Sequence, residues 1–326
     1  MTALTRRAWL KPAALLSLSP LAALAQIDPK TPVRIIVPYA AGAATDALSR
    51  LMAQALGAAT GATCIVDNKG GAGTQIGTKA IATAAPDGQT LGFIDTAFAI
   101  NPGLLGSALP YDTERDFVPI SLMATAPLVL IAHSSVPARS VREFIALAKA
   151  RPGELNYGSA GVGSAPHLAG EQLHSAAGID INHVPYRGGA TVLTDLIGGQ
   201  IQFGFTTVPT MIDHIRAGTV RALAVTGGSR AAQLPDVPTM AESGLAAVDA
   251  TPFFGLVAPA KLARRTVDQL SNAASTAVRA GPLNKRLVEM GFVPVGSTAD
   301  EFKTRLASET AKWAAVIKAG NIKPNA

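Results

Sequence analysis

The sequence predicts an α/β protein of two domains, with parallel sheets covered by helices. Three observations predict it. Apolar strand-like runs alternate with helix-period segments along most of the chain. A strand, a glycine-rich turn and a helix start recur together at 33–56, 65–84, 155–176 and 183–197. Beyond a leader-like N-terminus, roughly 300 residues remain, more than a single core usually serves.

The first residues read as an export signal. Arg6, Arg7 and Lys11 make a basic start, 12–24 is a short apolar stretch, and Ala23-Leu24-Ala25 supplies a small-residue cleavage site, so the mature chain is expected to begin at Gln26. Thr5-Arg6-Arg7-Ala8-Trp9-Leu10-Lys11 also fits a twin-arginine signal, so a general secretory route and a twin-arginine route both stay open. The apolar stretch falls short of the ~20 residues a spanning helix needs. Segment 120–132, the next most apolar, is broken by Ser121, Thr125 and Pro127. The mature protein is therefore expected to be soluble and periplasmic. Loss of residues 1–25 removes three basic residues and leaves 25 Lys+Arg against 22 Asp+Glu, a net of +3. That balance, with no basic run interleaved with aromatics, argues against a nucleic-acid partner. Cys64 is the sole cysteine, so no intrachain disulfide can form; its place in an apolar strand suggests a buried, inert thiol.

The elements follow in order. Segment 33–37 is an apolar strand; Thr45 is a candidate N-cap for a helix whose Leu48, Leu51, Met52, Ala55 and Leu56 share one face. A strand at 65–66 leads through Asn68-Lys69-Gly70-Gly71-Ala72-Gly73 into a helix that Pro86-Asp87-Gly88 stops, and 91–94 is a third strand. Ser140-Val141-Arg142-Glu143 is a capping box that opens a helix ending at Arg151-Pro152-Gly153. A strand at 155–157 runs into Gly158–Ser164 and a helix beginning around 164–166. His183-Val184-Pro185 leads through Tyr186-Arg187-Gly188-Gly189 into a helix to Ile197. Segments 201–205 and 222–225 are strands, 253–257 is a strand returning to the first set, and the rest is helical, including 299–318.

These turns point to an anion. A helix N-terminus leaves its first N–H groups unpartnered and carries partial positive charge. Glycine and alanine before it let main chain approach a ligand, and in open α/β sheets ligands sit beyond the carboxyl ends of the strands. Four such ends suit a small organic acid held by main-chain amides, with Ser and Thr hydroxyls adding donors. Enzyme motifs are weak: Gly71-Ala72-Gly73-Thr74-Gln75-Ile76-Gly77 misses the dinucleotide spacing, no P-loop lysine pattern occurs, and Gly158-Ser159-Ala160-Gly161 lacks the nucleophile-elbow spacing. No cofactor is implied. His167, Glu171 and His174 share a helical face, but ligands on one short helix point in parallel and converge poorly on a metal. His167 is expected beside its loop, with Glu171 and His174 on the solvated or lobe-packing side. Asp46 reads as a carboxylate that stiffens the first loop or as a ligand contact. Asp95, ending a strand next to Thr96, would repel an anion and is expected to meet an amine or hydroxyl of the ligand.

Seven motifs in this order resemble the extracytoplasmic solute receptors of the tripartite tricarboxylate transporter family, the Bug-type receptors. They are 38–46 (PYAAGAATD), 66–73 (VDNKGGAG), 85–91 (APDGQTL), 109–112 with Asp116-Phe117, 157–164 with His167-Leu168, 184–189 (VPYRGG) and 234–239 (LPDVPT). The resemblance implies a two-lobed, type 2-like Venus flytrap: lobe 1 from 26–125 plus 253–326, lobe 2 from 126–252, joined by crossovers at 120–132 and 250–257. It implies ligand contacts from Tyr39, Ala40, Gly42, Ala43, Thr45 and Asp46 in the first loop, and from Gly71, Ala72 and Gly73 in the second, with Thr96. In lobe 2 it implies Ser159, Gly161, Ser164, His167, Tyr186, Gly189 and Ala190. It further implies delivery to membrane permease subunits, by a protein expected to be a monomer and not an enzyme. Three departures stand out: Gly42-Ala43-Ala44 replaces consecutive glycines, Thr74 stands where glycine is usual, and Thr206 takes a position often held by Asp, which disfavours an amino-acid ligand and favours an aromatic or simple organic acid. Presentation of the ligand to a sensor kinase, a cleft hydrolase, and a receptor for an ABC transporter are the alternatives.

Overall fold

Alternating strand and helix signals resolve into two mixed sheets in a computed structural model, which describes residues 31–42, 44–186 and 189–324. The predicted export signal, Ala43, Arg187 and Gly188 lie outside the described residues, as does the side chain of Ala190. In the first sheet, β1 (Val33–Val37), β2 (Cys64–Asn68) and β3 (Thr90–Asp95) are parallel, joined through α1 (Ala44–Thr60) and α2 (Gln75–Ala82). After α3 (Ala97–Leu105) come β4 (Phe117–Thr125) and the crossover to β5 (Leu128–His133). The second sheet follows with α4 (Val141–Ala150), β6 (Asn156–Ser159), α5 (Ala165–Ala177), β7 (Asn182–Pro185), α6 (Gly189–Ile197), β8 (Phe203–Thr207), α7 (Val208–Arg216) and β9 (Val220–Val225). The chain returns as β10 (Phe253–Pro259) and closes with α8 (Arg264–Arg279), α9 (Pro282–Glu289), the two-residue β11 (Val293–Pro294) and α10 (Ala299–Ala319).

The strand orders are β11-β4-β10-β3-β1-β2 and β7-β6-β8-β5-β9. The two sheets repeat one plan. Three parallel strands lie in the order second-first-third, and an antiparallel strand delivered from the other sheet (β10 or β5) comes next. The expected class, two α/β units of the type 2 kind, is what forms. Segment 120–132 is not one strand; it splits at Ala126-Pro127 so that β4 and β5 serve different sheets.

The registers fix how the sheets face. β10 starts opposite the ends of β4 and β3, with Phe253 beside Thr125 and Phe254 beside Asp95. β5 starts opposite the end of β8, with Leu128 beside Thr207. Both crossovers therefore leave from the carboxyl edges of the parallel strands, and that edge of each sheet looks toward the other. The crossovers bond to each other where Ala126 N–H donates to Pro252 O at 2.9 Å, and Thr226, just after β9, exchanges bonds with Leu128: its N–H donates to Leu128 O at 2.8 Å and its hydroxyl accepts from Leu128 N–H at 3.0 Å. Thr226 and Thr251 hydroxyls lie 3.4 Å apart.

Local expectations are largely met, with three corrections. The α1 face carries Leu48, Met52 and Leu56 into the core, but the helix starts at Ala44, so Thr45 is inside it and does not cap it. Ser140 caps α4 by accepting from Glu143 N–H, while the Glu143 carboxylate reaches back to Arg139 N–H at 2.7 Å instead of to Ser140, so the box is half closed. Cys64 is half-buried, and burial raises its thiol pKa. Among the described residues no helix is long and apolar enough to cross a membrane.

Candidate functional site

At the carboxyl edge of the first sheet two loops are built against each other. A side-chain carbon on Gly70 would sit 2.9 Å from Ala40 N, and one on Gly77 would sit 2.6 Å from Pro38 Cα, so main chain of the second loop lies directly on the first. Only glycine permits that approach. Asp46 ties the pair together. Its carboxylate accepts from Gly42 N–H (2.9 Å), from Arg50 Nε (3.1 Å) and from Asn68 Nδ2 (3.0 Å), and Asn68 also donates to Tyr39 O. Burial alone would raise the Asp46 pKa; the Gly42, Arg50 and Asn68 donors reverse that and hold it below the usual carboxylate range. Asp46 is thus a brace within the loop.

The next layer sits where β1 and β3 part, at the reversal in strand order. Tyr39 Oη donates to Asp95 Oδ1 at 2.8 Å, Ala97 N–H to the same oxygen at 3.0 Å, and the Thr45 hydroxyl to Oδ2 at 3.4 Å. Burial raises the Asp95 pKa despite these donors, and burial together with the adjacent Asp95 carboxylate raises that of Tyr39. The buried Thr96 hydroxyl accepts from Phe253 N–H at 3.0 Å, joining this layer to the return crossover.

The second loop is strained. Gly71 has φ 125°, and Ala72, Gly73 and Thr74 follow with φ 47°, 58° and 77°. Left-handed backbone at a β-branched residue costs about 1–3 kcal/mol and persists only where surroundings enforce it. Here Asn101 of α3 does so: its amide nitrogen is 3.1 Å from Gly73 O, 3.1 Å from Thr74 Oγ1 and 3.2 Å from Tyr111 Oη. Ala40, Ala41, Gly42, Gly71, Ala72 and Gly73 remain exposed. Among the described residues nothing accepts a hydrogen bond from Ala40 or Ala41 N–H.

In the second sheet the 159–164 loop closes on its own polar groups. The Ser159 hydroxyl lies 2.6 Å from His183 Nε2 and meets both Gly161 N–H and Gly161 O; Ser164 caps α5 by accepting from His167 N–H and donates to Gly161 O at 2.6 Å. Gly163 N–H donates to His167 Nδ1 at 3.2 Å. His167 and His183 stack at 4.1 Å, with Tyr157 against His183 at 4.9 Å. Burial, and for His167 the neighbouring His183, press their pKa values down to about 3 and about 4. Both imidazoles are neutral at pH 7. Glu171, expected on the solvated or lobe-packing side, turns inward to accept from Tyr157 Oη at 2.7 Å, while His174 is exposed. Tyr186 N–H donates to Ser159 O and its hydroxyl to Asp195 at 2.8 Å; burial and that bond push its pKa up to about 12. Gly189 and Thr206 line one small crevice with Val192 and Met211.

The two edges meet at several points. Gly163 is seated on α3, since a carbon added there would lie 2.5 Å from Leu104 Cδ2. Gln233 Nε2 donates to Val288 O at 2.8 Å, and Lys312 Nζ lies 2.9 Å from Asp249 Oδ2. The predicted contact residues therefore fall into two groups. Ala40, Gly42, Gly71, Ala72 and Gly73 offer exposed main chain. Tyr39, Thr45, Asp46, Asp95, Thr96, Ser159, Ser164 and His167 use their side chains within the protein, so the hydroxyl donors of Ser159 and Ser164 are already engaged, Thr96 accepts from Phe253 N–H, and Asp95 meets the Tyr39 and Thr45 hydroxyls where a ligand hydroxyl or amine was expected. Sequence reading missed Asn68, Asn101, Tyr111 and His183. It also missed the Ser159–His183 pair; Ser159 is fully buried, and among the described residues no carboxylate bonds the other His183 nitrogen, so the pair acts as a prop.

Residues 48–322 match the model of the tripartite tricarboxylate transporter family receptor. The chain is 34% identical to protein BugT of Bordetella pertussis over 291 residues, 89% of each chain. It is similar to a Rhodopseudomonas palustris protein solved with adipate (30% identity, TM-score 0.85, covering 91% of this chain and 99% of that one). It is similar also to MatC from the same organism solved with malate (27% identity, TM-score 0.80, 89% and 100%).

Proposed function

The chain belongs to the tripartite tricarboxylate transporter receptor family, and on that premise we propose that it captures a small organic carboxylate between its two sheet domains and delivers it to the membrane subunits of a tripartite transporter. One observation carries this reading: the crossovers leave both sheets at their carboxyl edges, so the turns of the two sheets face each other, and in the first sheet the main chain of Ala40–Gly42 and Gly71–Gly73 is exposed there. Each turn is braced from behind, by Asp46 and Asn101 in one half and by the neutral histidine pair in the other, which lowers the ordering cost of binding. The known ligands of two relatives, adipate and malate, belong to the same chemical class.

In this reading lobe 1 comprises 26–125 plus 253–326 and lobe 2 comprises 126–252, with Ala126 and Pro252 at the junction. The mature protein works as a periplasmic monomer after export on its N-terminal signal and carries out no chemistry on its ligand. Capture is a population shift: the ligand favours the closed arrangement because only there do donors of both lobes reach it. Thermal-shift screening of the mature protein against mono-, di-, tri- and aromatic carboxylic acids tests this. An acid at a hundred times its Kd stabilises the native state by about 2.7 kcal/mol, so at least one acid should raise Tm while its amide does not. No shift with any acid, or turnover of the acid that binds, would refute it.

A further inference from the structure

Both halves of the site lean on α3, and the geometry points to Asn101, on that helix, as a positioning residue for ligand capture that keeps the 71–74 turn left-handed. This rests on reading that turn as part of the carboxylate site. Three successive residues, Ala72, Gly73 and Thr74, hold positive φ, and two of them are not glycine. Left to itself such a turn relaxes, because the Cβ of alanine and still more the branched Cβ of threonine collide with main chain there. Asn101 opposes the relaxation with one buried amide nitrogen placed 3.1 Å from both Gly73 O and Thr74 Oγ1. It lies 27 residues from Thr74 and is 4% exposed, so this grip comes from tertiary packing and is shielded from water.

The same helix is also the seat of the opposite lobe. Leu104 and Ile100 lie under Gly163, and Gly103 is pressed to 3.0 Å from Ala314 Cα of α10 when a side-chain carbon is added. α3 is therefore held firmly in lobe 1 while it shapes one ligand loop through Asn101 and receives the other through Leu104.

Crystal structures and acid titrations of Asn101→Leu, alone and combined with Thr74→Gly, test the assignment, with adipate and malate as probes. Leucine keeps the volume and removes the donors. In Asn101→Leu, Thr74 should leave the left-handed region, and affinity for whichever acid stabilises the parent should fall about tenfold. Adding Thr74→Gly, which takes positive φ without collision, should restore the turn and most of the affinity. A role confined to core packing predicts a lower Tm in both variants with no rescue, and that pattern overturns the proposal. So does a Thr74 φ that stays near its parent value in Asn101→Leu. If the parent binds neither acid, the carboxylate reading fails for them, and the Thr74 φ still decides the role of Asn101. Should Asn101→Leu fail to fold, Asn101→Asp, which keeps the shape and loses the donors, takes its place under the same outcomes.

Discussion

Asp46 illustrates how a charged residue can serve the proposed anion site as a brace within its loop. Its carboxylate neutralises Arg50 and accepts from Gly42 N–H, so the first turn of α1 is stapled to the loop before it. Hydrogen bonds to a charged group are worth about 1.5–3 kcal/mol, and removing one partner leaves the others unsatisfied. Asp46→Ala should therefore destabilise the protein by about 2 kcal/mol in urea unfolding and weaken acid binding, because Gly42 then loses its anchor. Asp46→Asn, which keeps one acceptor oxygen, should lie between the two. An Asp46→Ala protein as stable as the parent would show that the brace is unimportant. The same economy holds at Gly70 and Gly77, where the missing Cβ lets two main chains touch.

At the scale of elements, the sequence was most readable where periodicity is clean. All four predicted strand–turn–helix units form, as β1–α1, β2–α2, β6–α5 and β7–α6. Two more, β3–α3 and β8–α7, went unread. α3 (AFAINPGLL) is apolar on every side and contains Pro102, so no amphipathic stripe marks it. Yet it carries Asn101, and the contacts that matter most at the site, Asn68 to Asp46, Asn101 to Thr74 and Ser159 to His183, join residues 22 or more apart. Such pairs have no local signature, and glycine-rich turns announce a binding loop without announcing what holds it. Thr45 looked like a helix cap because hydroxyls favour that position; a carboxylate 50 residues away claims it.

The α5 element carries a pH prediction. His167 and His183 titrate near 3 and 4 in the folded protein because burial disfavours charge on both and, for His167, the neighbouring His183 adds to it, with Tyr157, Glu171 and Ser159 packed around them. The unfolded chain takes up protons below its ordinary histidine pKa, near 6.5, whereas the folded protein does not. Stability is therefore complete above that pH and declines as pH falls toward 4, by about 2 kcal/mol per imidazole at pH 5. Urea unfolding at pH 7 and pH 5 should show His183→Phe losing about 2 kcal/mol less than the parent over that interval. Equal losses would mean that His183 is not held neutral by the fold.

At the scale of the whole molecule, function follows from where the chain crosses. Each sheet receives its antiparallel strand from its partner, and the registers place both transfers at the carboxyl edges. Two sheets joined there direct these turns toward each other, and the crossovers are bonded at Ala126 and Pro252. The central claim is that exposed main-chain N–H groups of the first sheet's turns hold one negatively charged guest, with the second sheet's turn covering the rest of it. A crystal structure of the protein with the acid that most raises its Tm tests this most directly. The carboxylate oxygens should lie within hydrogen-bond distance of N–H groups from the 39–42 and 71–73 turns, with the 159–163 turn closed over the remainder of the acid. An acid bound away from these turns, or held by one lobe alone with the other making no contact, would contradict the account.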